Sequence, residues 1–389
     1  MNRDNYLTQI KTALREAKVD QGIIDEVIGD YEEHFRMGIK YNKSEEEICV
    51  ELGSVEEIVA EISAMGTANQ TAKEDTRRDE IDNTNTFAVA SKESEQQKEY
   101  SSHAPFTKVQ VDGICADIII KSGDTFKVDY INNGSEKDKL AYQFYHYQEG
   151  DTFFVGVKEN FSKMLFRVLR NVDLRLIVQL PSHVEDIKVK VASGDCRIDG
   201  VKLQKLSIYS ASGDINMNQT ACIEADLHSS SGDLRVENSN VDTLYTKTSS
   251  GDVQVMYTNS KFVKCNSSSG DVEINEGITE RLEAQSASGD VKCYAVSKEY
   301  FLKSISGDVT VRMQGDAEAN YESISGDIGI HLNNNQNGYI LNASTVSGDV
   351  NIGYMGMYQS DCKSGHYTFG NQGSKIHAKT VSGDIDLKG

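Results

Sequence analysis

The sequence has no apolar run of the roughly 18 residues that a membrane-spanning helix needs. Residues 1–18 contain no uninterrupted apolar core, so no standard signal peptide is expected at this end of the chain. Both absences favour a cytoplasmic protein without a transmembrane segment.

Basic residues are also few. Lys and Arg number 40 against 60 Asp and Glu, which gives a formal net charge of −20. Nucleic-acid phosphates are bound by Lys and Arg, so an acidic chain is a poor nucleic-acid binder. Its electrostatic field would attract cationic partners instead.

Patterns typical of catalytic or metal sites are missing as well. The eight histidines are scattered, and no Ser/His/Asp arrangement or metal-ligand spacing occurs. Parallel β-helices that cleave polysaccharides need carboxylates clustered in a groove between long loops, whereas here single aspartates recur at short turns. We therefore expect no enzymatic activity, no cofactor and no metal.

What the sequence does contain is a repeated tripeptide, Ser-Gly-Asp. Successive copies are 19, 19, 19, 19, 19, 18, 19, 22 and 35 residues apart, and a degenerate copy, Ser364-Gly365-His366, divides the last step. A fixed period near 19 residues is the signature of a repeat architecture. The serines of the ten full copies are Ser193, Ser212, Ser231, Ser250, Ser269, Ser288, Ser306, Ser325, Ser347 and Ser382.

Apolar and polar residues alternate on both sides of each tripeptide. In one repeat, Leu206 and Ile208 precede it and Ile215 and Met217 follow it. Period-two alternation predicts strands with one inward and one outward face. Each coil of about 19 residues then has a long strand, a corner, a short strand and a turn. Stacked coils bury their apolar faces together, which predicts a parallel β-solenoid.

The seven cysteines are interpreted as reduced. Cys196, Cys265 and Cys293 fall at inward apolar positions of the repeat, and no two cysteines share a position in adjacent coils. The register therefore predicts no disulfides between stacked coils, which fits a reducing compartment.

We interpret the tripeptide as a structural corner. Its glycine supplies backbone freedom, with a positive φ as one option, and its aspartate accepts a hydrogen bond from a nearby backbone N–H. Its serine is expected to point inward. A calcium ladder is the alternative, but calcium rolls use Gly-Gly-x-Gly-x-Asp nonapeptides. The predicted corner residues are Gly194, Asp195, Gly213, Asp214, Gly232, Asp233, Gly251, Asp252, Gly270, Asp271, Gly289, Asp290, Gly307, Asp308, Gly326, Asp327, Gly348, Asp349, Gly383 and Asp384.

The N-terminal residues have a different, helical pattern. Apolar residues recur at helical spacing in residues 1–65, and two capping boxes begin at Ser44 and Ser54. This pattern predicts a small bundle of four helices, so the fold class is a multidomain α+β chain.

The remaining residues divide into a linker and the solenoid. Residues 66–104 are rich in polar and charged side chains and are expected to form a flexible linker. The solenoid then covers residues 105–389, with irregular capping coils in 105–185 and the Ser-Gly-Asp coils in 186–389.

Two segments carry resemblances to known families. The stretches Asp30–Phe35 and Leu52–Ile58 resemble the HAAS signalling-associated helical domain of Gram-positive bacteria. The Ser-Gly-Asp coils, led by Leu176–Pro181, look like a β-solenoid family of candidate adhesins. The order of the two parts is similar to that of the LiaX-like envelope-stress proteins of Gram-positive bacteria. This resemblance implies a location at the cell surface, as an alternative to the cytoplasm, and implies no catalytic residues.

One candidate interaction surface lies just before the corner serines. This position holds Ala or Ser in the early coils but Ile305, Ile324, Val346 and Val381 in the later ones. Strict alternation places these side chains outside, where an aligned apolar patch is typical of an interface. In the alternative, the corner turns the position inward.

A second candidate surface is a basic amphipathic segment. Its apolar residues follow helical spacing, and bases lie on the other side. We expect it to cap the N-terminal end of the solenoid core, and an anionic lipid surface or acidic partner is the alternative. The candidate residues are Phe161, Met164, Leu165, Arg167, Val168 and Leu169.

These observations favour a non-enzymatic interaction or regulatory protein. The helical domain and the solenoid would each bind a protein partner, including envelope-stress regulators. The alternative is a surface-associated adhesin, or capture of cationic antimicrobial peptides by the acidic solenoid. The sequence leaves the oligomeric state open.

Overall fold

The chain forms two compact units. The first comprises Met1–Ser94, Asn132–Gln143 and Glu159–Val172, and the second comprises Glu95–Ile131, Phe144–Lys158 and Asp173–Gly389. The computed structural model describes residues 2–19, 21–40, 44–52, 54–56, 58–59, 96–99, 105–159, 172–333, 337–354, 357–371 and 373–389.

Three helices begin the chain: α1 (Arg3–Glu16), α2 (Gln21–Lys40) and α3 (Glu45–Leu52). The predicted capping box of α3 is confirmed. Ser44 donates its backbone N–H to Glu47 Oε2 at 2.8 Å, and Glu47 donates its own N–H to Ser44 Oγ at 3.3 Å. Each side chain therefore satisfies a backbone donor that the first turn leaves without a helical partner.

The apolar stripes of these helices meet in one core. Ile10, Leu14, Phe35 and Leu52 are all fully buried in it. Beyond α3, residues 55–56 and 58–59 are helical. The small helical region is therefore present, and the fourth whole helix of the predicted bundle stays a prediction. A short helix that the sequence did not indicate, α4, spans Glu136–Ala141.

The second unit is built from two large sheets. The strands, in chain order, are β1 (Gln96–Glu99), β2 (Lys108–Gly113), β3 (Asp117–Ser122), β4 (Lys127–Asn132), β5 (Tyr142–Glu149), β6 (Thr152–Glu159), β7 (Leu174–Leu180), β8 (Asp186–Val191), β9 (Cys196–Asp199), β10 (Lys202–Ser210), β11 (Ile215–Asn218), β12 (Ala221–Ser229), β13 (Leu234–Glu237), β14 (Asn240–Lys247), β15 (Val253–Met256), β16 (Asn259–Asn266), β17 (Val272–Asn275), β18 (Ile278–Ser286), β19 (Val291–Cys293), β20 (Val296–Ser304), β21 (Val309–Gln314), β22 (Glu318–Glu322), β23 (Ile328–Asn333), β24 (Gly338–Ser344), β25 (Val350–Tyr354), β26 (Met357–Cys362), β27 (Gly365–Gly370), β28 (Ser374–Lys379) and β29 (Ile385–Lys388).

Each regular coil places one long strand in a 14-stranded sheet and one short strand in a 15-stranded sheet. Neighbouring coils pair in parallel, with Leu206 opposite Ala225 and Ile215 opposite Leu234. Inward residues of both sheets are buried in one continuous apolar core. The large, parallel-rich, solenoid-like domain therefore agrees with the prediction, because no coil could bury its apolar face alone.

The coils at the two ends are not stacked in chain order. Near the C terminus, β28 lies between β22 and β24, and β29 lies between β23 and β25. The last coil is thus inserted between two earlier ones. Near the N-terminal end, β3 lies between β7 and β9 in the same way. The repeat period follows the order of the chain, so it predicts neither of these two insertions.

The long gap before the last Ser-Gly-Asp copy holds two antiparallel strands rather than a coil. β26 pairs with β25 and β27 pairs with β24, both antiparallel. The degenerate copy at 364–366 falls at their junction, so it does not divide the 35-residue step into two stacked coils. A Cβ added at Gly365 would meet its nearest atom at 3.7 Å, so no stacked backbone presses on this glycine.

Four residues of the predicted flexible linker form a strand. Within 66–104, β1 pairs antiparallel with β4, and Gln97 lies opposite Asp129. An edge strand offers unpaired backbone groups to any neighbouring segment, whatever side chains that segment carries.

The candidate amphipathic segment, Phe161, Met164, Leu165, Arg167, Val168 and Leu169, lies outside the described residues. Among the helices that are described, none is both long and apolar enough to span a bilayer.

Candidate functional site

The corner is held by a column of mostly buried hydroxyl groups two residues before the serine in nine of the ten copies, Val191 being the exception. Ser229 Oγ accepts the N–H of Gly232 at 2.9 Å and donates to the carbonyl of Gly213, one coil away, at 3.1 Å. Six hydroxyls in this column make both bonds, so each of the six closes its own corner and ties it to the preceding coil. The residues that make this bond to the neighbouring coil are Ser229, Thr248, Ser267, Ser286, Ser304, Ser323, Thr380 and Thr345.

The serine of the tripeptide does not play this role. Ser231 and its equivalents are exposed, whereas Ser229 is buried. The expectation of an inward tripeptide serine is therefore wrong. The alternation changes phase at the bend, so the inward hydroxyl belongs to the residue two positions earlier.

The corner glycines are required by close stacking. A Cβ added at Gly251 would lie less than 3.0 Å from the carbonyl oxygen of Gly232, closer than real Cβ atoms come. The other corner glycines face the equivalent carbonyl of their neighbouring coil in the same way. None of the ten has a positive φ, so the option of a left-handed corner is wrong. Backbone approach explains the glycine here.

The corner aspartates form a ladder from coil to coil. Asp233 donates its backbone N–H to Asp214 Oδ1 at 2.8 Å, so each carboxylate caps the next coil and not its own turn. Most of these carboxylates are exposed, and coils stack about 4.8 Å apart. The ladder is a line of negative charge. In stacking order it contains Asp117, Asp195, Asp214, Asp233, Asp252, Asp271, Asp290, Asp308, Asp327, Asp384 and Asp349.

The apolar residues before the serines form a contiguous exposed stripe. Exposed fractions are 43% for Ile305, 46% for Ile324, 38% for Val381 and 78% for Val346. The alternative that the corner turns them inward is therefore wrong. We call these four residues the corner stripe.

Backbone hydrogen bonds fix the order of the corner stripe. Ile305 O accepts from Ser325 N at 3.0 Å, Ile324 O from Val381 N at 3.2 Å, and Val381 O from Val346 N at 3.3 Å. The inserted last coil thus places Val381 between Ile324 and Val346. Four successive coils contribute one apolar side chain each, without a gap.

A histidine–carboxylate pair lies on the 14-stranded sheet. His228 Nε2 is 2.6 Å from Asp226 Oδ1, and the Tyr209 hydroxyl donates to Asp226 Oδ2 at 3.0 Å. Burial and, next, the bond to Asp226 raise the pKa of Tyr209. Both carboxylate oxygens are therefore engaged, and these two contacts bring no Ser, Thr or Cys side chain to the imidazole. Across the described ranges, no group of three His, Cys, Asp or Glu residues could hold a metal ion.

The buried cysteines are poor candidates for chemistry. None of the seven cysteines forms a disulfide, and burial raises the pKa of the Cys265 and Cys293 thiols to about 12. Only a thiolate is a strong nucleophile or metal ligand, so these thiols act as small core residues.

Sequence comparison assigns families to both parts of the chain. The HAAS family profile matches residues 5–61, in agreement with the resemblance of the N-terminal helices. The Toastrack (DUF4097) profile matches residues 106–299 and 239–388. No curated protein matches the chain.

Solved structures give distant likenesses. A candidate adhesin from Bacteroides fragilis is 14% identical, with a TM-score of 0.35, over 76% of this chain and 97% of that one. A candidate adhesin from Parabacteroides distasonis is 10% identical, with a TM-score of 0.32, over 75% and 97%. A candidate lipid-binding protein from the same species is 13% identical, with a TM-score of 0.37, over 61% and 93%.

The two Toastrack matches together span the stacked coils, including the corners, the aspartate ladder and the corner stripe. They cover well over half of the chain. The chain therefore belongs to the Toastrack (DUF4097) family and carries a HAAS domain at its N terminus.

Proposed function

We propose that this protein is a non-enzymatic interaction protein of bacterial envelope-stress signalling, which binds protein partners through its HAAS domain and its solenoid. The observation that carries the proposal is the corner stripe. The equivalent position in earlier coils holds only Ala or Ser, so folding of the repeat does not need a large apolar side chain there.

The surroundings of the corner stripe suit a protein interface. Interfaces combine a central apolar cluster with a polar rim. Lys303, Glu322 and Lys379, each two residues before a stripe residue, lie on the outer face of the long strands. A partner that covers the stripe would gain most of its binding energy from desolvating the four apolar side chains.

The experiment uses a photo-crosslinking amino acid at position 324 of the full chain, in the cells that make the protein. We expect a discrete protein adduct at Ile324 and none at Ser249, the equivalent position of an earlier coil. Val381→Asp places a charge beside the crosslinker and should abolish the adduct. Equal adducts at both positions, or an adduct that survives Val381→Asp, would contradict a partner seated on the stripe.

Localisation belongs to the same proposal. We place the protein in the cytoplasm, with the cell surface as the alternative. Protease treatment of intact cells separates the two, because a cytoplasmic solenoid remains intact until the cells are lysed. Digestion in intact cells would place the partner outside.

A second candidate function is supported by the aspartate ladder, whose exposed carboxylates follow one another at coil spacing. Such a line of negative charge favours capture of cationic peptides. Asp252→Asn with Asp271→Asn removes two charges but keeps the Oδ1 acceptors. We expect weaker binding of an oligolysine peptide at low salt, and unchanged affinity would rule the ladder out as the binding surface.

A further inference from the structure

A groove of about 690 Å³ lies on the outer face of the 14-stranded sheet, where β20, β22, β28 and β24 are neighbours. Its middle row contains one residue from each strand: Phe301, Asn320, His377 and Asn342. We call this the amide groove. It exists only because the last coil is inserted, since β28 supplies His377.

The polar groups of the row are held in fixed roles. His366 Nδ1, on the adjoining β27, is 2.6 Å from Asn342 Oδ1, and Asn342 Nδ2 is 3.4 Å from His377 Nδ1. An amide nitrogen only donates, so His377 Nδ1 accepts and the neutral ring carries its proton on Nε2. The His377 Nε2–H is therefore a donor available to a ligand.

Asn320 adds both kinds of hydrogen-bonding group. Its side chain has no hydrogen-bond partner among the described residues, and it lines the groove between Phe301 and His377. An amide offers a carbonyl acceptor and two N–H donors side by side. The row thus presents donors and acceptors at the spacing of the strands, about 4.8 Å.

The charges at the groove largely cancel one another. Lys375 Nζ is 2.9 Å from Glu318 Oε1, and Lys303 Nζ is 3.0 Å from Glu322 Oε2. Lys379 makes no ion pair with any described residue and adds one ammonium donor. A charged ligand would have to compete with these pairs, whereas an uncharged polar ligand would not.

The rest of this sheet face is different. In earlier coils Lys205 pairs with Glu224 at 2.7 Å, and Glu283 accepts from both Lys264 and Arg281. Their donors and acceptors satisfy one another, so these paired side chains leave few hydrogen-bonding groups for a ligand. The amide groove differs from them because two amides and an imidazole lie in one row with Phe301 across four neighbouring strands.

Phe301 gives the groove an apolar surface. Its side chain is 36% exposed, and the guanidinium of Arg281 lies 4.7 Å from the ring centroid. The ring is therefore oriented by Arg281 and leaves part of its surface to the groove. Aromatic side chains provide a large apolar contact at low conformational cost.

We propose that the amide groove binds a neutral oligosaccharide chain. A pyranose ring has an apolar face that can pack on Phe301 and hydroxyl groups that both donate and accept, as Asn320 and His377 require. A peptide cannot add as a strand here, because the sheet face leaves no backbone group unpaired. A nucleic acid would be repelled by the net charge of −20.

Glu322 and Lys379 line the groove and also border the corner stripe, but none of the four stripe residues lines the groove. This inference therefore does not rest on the proposed protein partner. Ile324→Ser, in the corner stripe, is expected to leave saccharide binding unchanged. Gln285→Ala is the matched control on the same sheet face, since Gln285 is an exposed amide of an earlier coil.

The test is isothermal titration of the full chain with chitotetraose and with cellotetraose. We expect one or both to bind, and Asn320→Ala or His377→Ala to weaken the affinity about five- to tenfold, as loss of one or two hydrogen bonds does. Gln285→Ala and Ile324→Ser should match the parent chain, and circular dichroism melting should show all four variants folded. Absence of binding to the parent chain, or equal affinity of both groove variants and the controls, would overturn the proposal. Tighter binding of an anionic tetrasaccharide such as tetragalacturonate would also overturn it.

Discussion

Replacing Gly251 by alanine tests the stacked corner directly. The added Cβ would meet the Gly232 carbonyl at a distance that real structures do not show, so two adjacent coils must separate locally. The bonds at risk are Thr248 Oγ1 to Gly232 O, at 3.0 Å, and Asp252 N to Asp233 Oδ1, at 2.8 Å.

Overpacking costs about 1–3 kcal/mol, and each hydrogen bond that is lost costs about 1 kcal/mol. Gly251→Ala should therefore lower the free energy of unfolding by about 3–5 kcal/mol. At about 2–4 °C per kcal/mol, the melting temperature should fall by about 6–20 °C.

The assay is thermal and urea unfolding of the full chain, followed by circular dichroism. Gly365→Ala is the control, because its Cβ would meet only ordinary contacts, the nearest at 3.7 Å, and its melting temperature should stay within about 2 °C of the parent. If Gly251→Ala melted like the control, close stacking could not be the reason for the corner glycine.

The remaining predictions concern buried groups of the solenoid. Tyr321 is fully buried and its hydroxyl has no partner among the described residues, so Tyr321→Phe should stabilise the chain by about 1 kcal/mol in urea unfolding. Tyr300 makes two hydrogen bonds through its hydroxyl, so Tyr300→Phe should destabilise the chain by about 1–2 kcal/mol. If both variants changed the free energy of unfolding in the same direction, hydrogen bonding of the hydroxyl could not explain the difference between the two tyrosines. Burial raises the pKa of Cys265 and Cys293 from 9.0 to about 12; the unfolded chain therefore loses these protons first, and stability should be full below about pH 9 and fall as the pH rises toward 12. Cys265→Ala with Cys293→Ala should flatten that decline in urea midpoints measured at several pH values, and an equally steep decline would exclude the thiols as its cause.

The parts of the fold that follow from a local period were predictable. Inward positions such as Leu206 and Ile208 are fully buried, because period-two alternation within one strand survives any error in stacking order. The capping box at Ser44 was predictable for the same reason, since its partners are three residues apart.

The parts that depend on stacking were not predictable from one repeat. The alternation of inward and outward side chains changes phase at the bend, and the sequence does not show where. The inward hydroxyl was therefore expected at Ser231 and its equivalents, whereas it belongs to Ser229. A glycine at a corner is compatible with a positive φ or with a close backbone neighbour, and only the adjacent coil distinguishes them. Identical inner faces let any coil pack on any other, so the local pattern did not fix the position of the last coil.

The candidate sites divide in the same way. The corner stripe was predicted because its residues share one position of the repeat, although their true order differs from the chain order. The amide groove was missed because Asn320 and His377 are adjacent only through the pairing of β22 with β28. The signal that could have pointed to it is the change from charged to amide and imidazole residues at outward positions of the last coils.

The most direct test of a protein-binding corner stripe is the affinity of the crosslinked partner for a doubly substituted chain. Ile305→Ser with Ile324→Ser removes two apolar side chains that are 43% and 46% exposed, and each should contribute about 1–2 kcal/mol when covered by a partner. We predict that the dissociation constant rises at least tenfold, with a melting temperature within about 2 °C of the parent chain. An unchanged dissociation constant, or a loss of binding that only accompanies a lower melting temperature, would contradict the account.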